Sequence, residues 1–279
     1  MRHSSPSRTE NMSLSDPLIV KVGGGSTINL PAIARDLRSI ETPVVVVHGA
    51  NACRDELAGR LGTPPVTITS ASGIESVYTD DAQLELLTMA YAGLANKRFV
   101  QLCQQEGVNA IGLSGLDGAV VRGRRNPAIR VVDKGRKKLV RDHSGKPVAV
   151  NTSLLRCLLE EGTTPLLTVP ILDESGRAVN TENDTVVALL QEALGARTVV
   201  QLIEARGFLD RPDDDDSVIP RMSFDELDRR LASSSGRFRR KLMALTSMRA
   251  SGCETIHVGD GRGDSPLTSA LAGIGTTIE

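Results

Sequence analysis

PLIVKVGGGSTI (Pro17–Ile28) carries an apolar run into a charged lysine and then gives up three side chains in a row. An apolar run closed by glycine reads as a buried strand. A charge near its end is costly unless something pairs with it, so Lys21 either lies at an open strand end or meets an anion. Gly23, Gly24 and Gly25 let backbone N–H groups approach a ligand, and a helix after them adds a field that favours phosphate. A strand with a polar end and a flexible turn explains the same stretch, which alone leaves both readings open.

Working outward, strand-like runs alternate with helical spacing. PVVVVHG (Pro43–Gly49), NAIGLSG (Asn109–Gly115), PLLTVPIL (Pro165–Leu172), RTVVQLI (Arg197–Ile203) and ETIHV (Glu254–Val258) read as strands. Between them, Asp81–Gly107 has Leu84, Leu87, Tyr91, Leu94 and Phe99 at helical spacing, and NDTVVALLQEALGA opens a helix near Asn183. This alternation predicts an α/β fold with a mostly parallel sheet. Ligands of such sheets sit beyond the carboxyl ends of the strands, where the reading puts Lys21, Gly23, His48, Gly49 and Gly112. That convergence favours an anion for Lys21.

With 40% hydrophobic residues in 279, the chain has material for one large core or two modest ones, and Leu, Val, Ile and Ala must fill it because Trp is absent. A net charge of -1 gives no global attraction to nucleic acid. No apolar run approaches the roughly 20 residues of a membrane helix. Cys53, Cys103, Cys157 and Cys253 form no CxxC pair and read as free thiols of a reducing compartment. Residues 1–16 are polar and read as a disordered tail, and the chain is expected to be cytoplasmic. One segment departs from the alternation: residues 121–148 carry ten Lys and Arg against Asp133 and Asp142, in short β-prone pieces that fit a hairpin or two. RPDDDDSVIPRM (Arg211–Met222) reads as a solvated acidic loop.

KVGGG, VVHG, NAIGLSGLDG, NTENDTVVALL and SSSGRFRRKLMA occur in that order and spacing. Together they resemble the amino acid kinase superfamily, in its acetylglutamate kinase branch. YAGLANKRFVQL with GVNAIGLSGLDGAVVRGRR looks closest to kinases that act on a LysW-type carrier protein. The resemblance covers about Pro17 to Glu279. It implies an open αβα sandwich with a mostly parallel central sheet and two lobes, residues 17–177 binding the acyl acceptor and 178–279 binding ATP. It also implies that Lys21 and Lys241 contact the phosphoryl group in flight, that Asp184 orients both, that Gly23, Gly24 and Gly49 line the phosphate, and that Asn180 contacts the acceptor. ATP with Mg²⁺ carried by its phosphates, a small acidic amino-group carrier docking on 121–148, and a homodimer through the N-terminal lobe follow from the same resemblance. No protein-held metal site is expected. Without the resemblance, Lys241 reads as one solvated base of RFRRK, Asp184 as a first-turn acid on a helix dipole, and His48 as a strand cap.

The chemistry suits these residue types. A carboxylate attacking ATP brings two anions together, so catalysis is mainly positioning and charge stabilisation. The attacking carboxylate is already ionised near neutral pH and needs no general base. The pattern departs from the branch where the acceptor is gripped. Val77 stands where an arginine usually forks onto the α-carboxylate, and Ala50 replaces a glycine that the substrate approaches. Glu182–Asn183 and Ile203–Glu204 replace the usual smaller acidic and glycine pair and the Thr/Ser–Asp/Asn pair. The expected activity is therefore phosphorylation of a carrier-linked aminoadipate or glutamate side chain in amino-acid biosynthesis. An N-acetylglutamate kinase of arginine biosynthesis and a catalytically silent regulatory relative are the alternatives. The basic segment reads either as the carrier's docking face or as a solvated edge that discourages aggregation.

Overall fold

The computed structural model describes residues 16–69, 75–133, 136–211, 214–234 and 236–279. The first half runs β1 (Leu18–Val22), α1 (Leu30–Leu37), β2 (Val44–His48), α2 (Asn51–Leu61), β3 (Thr67–Thr69), β4 (Glu75–Val77), α3 (Asp81–Thr88), a π-helical segment (Met89–Ala95), α4 (Asn96–Gln105) and β5 (Ala110–Ser114). Then come β6 (Val121–Arg125), β7 (Ile129–Asp133), β8 (Arg136–Val140), β9 (Gly145–Val150), α5 (Thr152–Glu160), β10 (Thr164–Thr168), β11 (Ile171–Leu172) and β12 (Ala178–Val179). The second half adds α6 (Asn183–Leu194), β13 (Thr198–Ile203), β14 (Arg221–Met222), α7 (Phe224–Ser233), α8 (Gly236–Ala250), β15 (Thr255–Asp260), α9 (Pro266–Leu271) and β16 (Thr276–Ile278).

One eight-stranded sheet, in the order β14-β16-β15-β13-β1-β2-β10-β5, runs without a break from the second half into the first. From β15 to β5 neighbouring strands are parallel, and β16 is antiparallel to β15. The apolar runs LIVKV and VVVVH are buried at every position because both faces of their strands are covered. Ile19, Val45, Val47, Leu167 and Val199 face one core with Leu155, Leu190, Leu242 and Met248 of α5, α6 and α8. Leu18, Val20, Val46, Leu166 and Val200 face the other with Ile33, Phe99 and Leu267 of α1, α4 and α9. The molecule is thus the αβα sandwich that the resemblance implies.

The basic segment forms two hairpins as read: β6 pairs antiparallel with β9, and β7 with β8. β6 and β9 join β11 and β12 in a separate four-stranded sheet. Three expectations are corrected. The single helix 81–107 is interrupted by the π-helical turns Met89–Ala95. PLLTVPIL is two strands, β10 and β11, separated by Val169 and Pro170. Gly112 lies inside β5 rather than at its end; a Cβ there would overlap the Asn96 side chain and come within 2.8 Å of Val100 Cγ2, so this glycine serves close helix–strand contact.

The expected tail, 1–16, lies outside the described residues except for Asp16, whose carboxylate accepts from the Arg197 backbone N–H at 2.9 Å. Cys53, Cys103, Cys157 and Cys253 are all free thiols. Among the described residues no helix is long and apolar enough to cross a membrane.

Candidate functional site

Strand alternation sends Lys21 to the same face as Ile19, where α6 and α8 pack. There its Nζ donates to Asp184 Oδ1, in the first turn of α6, with the two side chains 9% and 15% exposed. Glu182, which precedes α6, provides no side-chain cap, so the helix end adds its field to Asp184. Lys241 lies in the first half of α8. Crowding by protein atoms, then the charge of Lys21, push its ammonium below the usual lysine range, and Asp184, Glu182 and Glu204 act the other way. Lys241 as a residue is exposed, so solvent screens part of this effect. Lys21 is the second cause of this shift, so the two ammonium groups act on one another. Arg240, one position earlier, bonds Glu182 at 2.7 Å and ties α8 to the start of α6.

The glycine loops after β1 and β2 lie backbone on backbone. A Cβ on Gly24 would come 2.5 Å from Ala50 N and 2.7 Å from Gly49 C, and one on Gly49 would come 2.9 Å from Gly24 N. Only glycine allows this approach. The N–H of Gly23 is taken by Leu202 O at 2.8 Å and that of Gly49 by Val22 O at 2.9 Å. These two amides are therefore spent on the fold. No such bond from the Gly24 N–H exists among the described residues. Glu204, at the end of β13, covers Gly25 and accepts from Thr27 N at 3.2 Å and Thr27 Oγ1 at 2.6 Å.

His48 is structural. It is 2% exposed, its Nε2 lies 2.9 Å from Asn96 Nδ2, and its ring meets Phe99 edge-on at 5.8 Å. Burial lowers its pKa to about 4, outweighing the bond to Gly49 O, with Lys97 lowering it further. Because Asn96 donates to Nε2, the proton resides on Nδ1 (a tautomer inferred from the network). The His48 carbonyl accepts from Thr168 Oγ1 at 3.0 Å and Asn183 Nδ2 at 3.1 Å, which fixes the loop before Asp184 to the end of β2.

Asn180 Nδ2 donates to Thr79 Oγ1 at 3.2 Å, and Thr79 Oγ1 to Val77 O at 3.3 Å. Asn180 and Val77 are thus linked through Thr79. Ala50 is 3% exposed in a small apolar cluster with Leu87, Ala90, Tyr91 and Val169. Burial pushes the Tyr91 phenol up to about 12, keeping it a donor, and it bonds Asn51 Oδ1.

The family model for the amino acid kinase family matches residues 16–260. The chain belongs to the amino acid kinase family. It is 39% identical over 267 residues to a LysW-aminoadipate kinase of Thermus thermophilus, covering 94% of this chain and 99% of that protein. It is 36% identical to one of Deinococcus radiodurans, covering 94% and 91%. A LysW-aminoadipate/LysW-glutamate kinase of Metallosphaera sedula is 31% identical, covering 94% and 99%. Among solved structures, N-acetylglutamate synthase of Neisseria gonorrhoeae superposes with a TM-score of 0.75 at 22% identity over 94% of this chain, which spans 59% of that protein. Giardia carbamate kinase gives 0.66 at 12% identity, covering 95% and 99%. These likenesses show the fold.

Three features of this amino acid kinase were not read from sequence as site features: the Glu204–Thr27 contact, the Arg240–Glu182 tie and the buried carboxamide of Gln201. Among the described residues no group of three or more His, Cys, Asp or Glu is arranged to hold a metal ion.

Proposed function

We propose that this kinase transfers the terminal phosphoryl group of ATP to the side-chain carboxylate of an amino dicarboxylate, aminoadipate or glutamate, held through its amino group on a small acidic carrier protein. The enzyme is a phosphotransferase with a carboxyl group as acceptor. The observation that carries the reading is the ion pair of Lys21 from β1 with Asp184, together with Lys241 of α8, whose ammonium feels the charges of both.

A carboxylate oxygen of the acceptor attacks the γ-phosphorus. The bond to the β–γ bridging oxygen breaks, ADP leaves with the electron pair, and an acyl phosphate forms. No proton is transferred, which fits a site whose one buried histidine near the strand ends is neutral and fully engaged. Lys21 and Lys241 offset charge on the moving phosphoryl oxygens, and Asp184 keeps Lys21 aimed without neutralising both lysines. Gly24 and its closely packed partner Gly49 bring backbone to the phosphate. Mg²⁺ bound with the nucleotide supplies further charge neutralisation. Residues 17–177 hold the acceptor near Asn180, Ala50 and Val77, and residues 178–279 hold the nucleotide.

The carrier docks on residues 121–148. Arg124 and Lys146 face each other in register across β6 and β9, and both are exposed. Like charges directly opposite weaken strand pairing, so an acidic partner relieves a cost that the hairpin otherwise bears. A homodimer through the α3–α4 face, where Met89 is 48% exposed, belongs to the same reading.

ADP release with ATP, Mg²⁺ and hydroxylamine, which traps acyl phosphate, tests this. Carrier-linked aminoadipate, carrier-linked glutamate and free N-acetylglutamate are compared. Turnover with a carrier-linked substrate is expected. Turnover confined to free N-acetylglutamate refutes the carrier, and none with any of the three points to a silent relative.

A further inference from the structure

Gln201 lies in β13, in register with Lys21 of β1 on one side and Val258 of β15 on the other. Residues in register on adjacent parallel strands project to the same face of a sheet. The Gln201 carboxamide therefore shares the face of Lys21, covered by the two helices that carry Asp184 and Lys241. Two positions earlier, Val199 packs in that face's core with Leu242 and Leu245, and an apolar residue in place of Gln201 would extend it. Instead a carboxamide is 4% exposed, and its Nε2 has no hydrogen-bond partner among the described residues.

An unmatched buried donor is a standing cost to a fold, and native proteins rarely keep one without a reason. The charged groups around this space are Lys21 and Lys241, opposed by Asp184, Glu182 and Glu204. Each of these carboxylates already has a partner: Asp184 accepts from Lys21, Glu182 from Arg240 and Glu204 from Thr27. The site thus presents two cations and a neutral donor that none of these carboxylates meets. We infer that Gln201 is a phosphate-binding residue whose Nε2 donates to a phosphate oxygen of the nucleotide. This rests on the phosphoryl-transfer reading above. Its place favours the nucleotide over the acceptor: β13 lies on the opposite side of β1 from β2, and Asn183, which leads into α6, is bonded to the β2 end. A neutral donor also adds a contact without a third positive charge beside Lys21 and Lys241.

The test uses the full chain and Gln201→Leu, which keeps the size and removes the amide. Calorimetric titration with ATP and Mg²⁺ is paired with thermal unfolding in the absence of nucleotide and with steady-state kinetics. The variant is expected to unfold at the wild-type temperature or above it, because an unmatched donor has gone. It is expected to bind ATP roughly tenfold more weakly or worse, as for a lost hydrogen bond to a charged group, with the acceptor KM unchanged. A lower unfolding temperature overturns the inference, since the amide then has a partner within the fold. Wild-type affinity for ATP overturns it too, since the donor is then met by water. Failure of the wild-type protein to bind ATP removes the phosphoryl-transfer reading itself, so the wild-type arm separates the two failures.

Discussion

Lys21 and Asp184, 163 residues apart in the chain, form an ion pair whose side chains are 9% and 15% exposed. Removing one partner strands a charge in the interior, whereas replacing both leaves none. Asp184→Ala is expected to cost about 3 kcal/mol of stability and to lower turnover by about a hundredfold or more. Lys21→Met combined with Asp184→Leu is expected to recover most of that stability and none of the activity. Denaturant midpoints and ADP release read the two effects separately, and an active double variant would refute the assignment.

Lys241 is exposed, so Lys241→Ala is expected to leave the fold intact and to abolish turnover. Its ammonium is lowered by crowding and by Lys21, and in the proposed reaction the protonated form is the one that offsets phosphoryl charge. The alkaline limb of kcat/KM for ATP therefore lies below that of an ordinary lysine. In Lys241→Arg, whose guanidinium stays charged, whatever activity survives loses that limb. A pH profile with the same limb in both proteins would assign it elsewhere.

His48 titrates near 4 in the fold against 6.5 for the ordinary side chain. Between those values the unfolded chain takes up a proton that the folded chain refuses. Its contribution to stability is complete above about pH 6.5, is lost progressively as pH falls toward 4, and is constant below that. The gap in unfolding temperature between about pH 7.5 and pH 5 should shrink in His48→Gln, whose amide oxygen can still accept from Asn96.

Two glycines should respond in opposite ways. Gly24→Ala places a methyl against the backbone of Ala50, Gly49 and Asn51, and is expected to cost about 1–3 kcal/mol and most of the activity. Gly59, exposed within α2, has nothing within 4 Å of an added Cβ, so Gly59→Ala is expected to add about 0.5–1 kcal/mol. Unfolding curves of the two variants decide it.

Reversing Arg136, Lys137 and Lys138 to Glu is expected to raise the KM for a carrier-linked substrate by about tenfold at low salt, with a smaller effect as salt screens the charges. An unchanged, salt-insensitive KM would reduce the segment to solvation.

The sequence made some features of the site legible and hid others. LIVKV and VVVVH were readable as strands because burial on both faces leaves an unbroken apolar run. The pairing of Lys21 with Asp184 came from the order of motifs, since no local spacing joins residues so far apart. Gln201 was hidden because a glutamine in a strand is unremarkable until its register with Lys21 is known. Buried Gln83 and Asn96, which complete the inward stripe around the π-helical turns, do not register in an apolar pattern. That Gly23 and Gly49 give their amides to backbone carbonyls was not legible either, because it requires the neighbouring strands to be placed.

The ladder between β1 and β13 welds the two halves of the chain at the strand that carries Lys21. Separating them would break bonds along four registered pairs, so a hinge within the sheet is the costly route for opening and closing. The Arg240–Glu182 contact between α8 and the start of α6 lies outside that ladder and is partly exposed, so it is the weaker of the two joints.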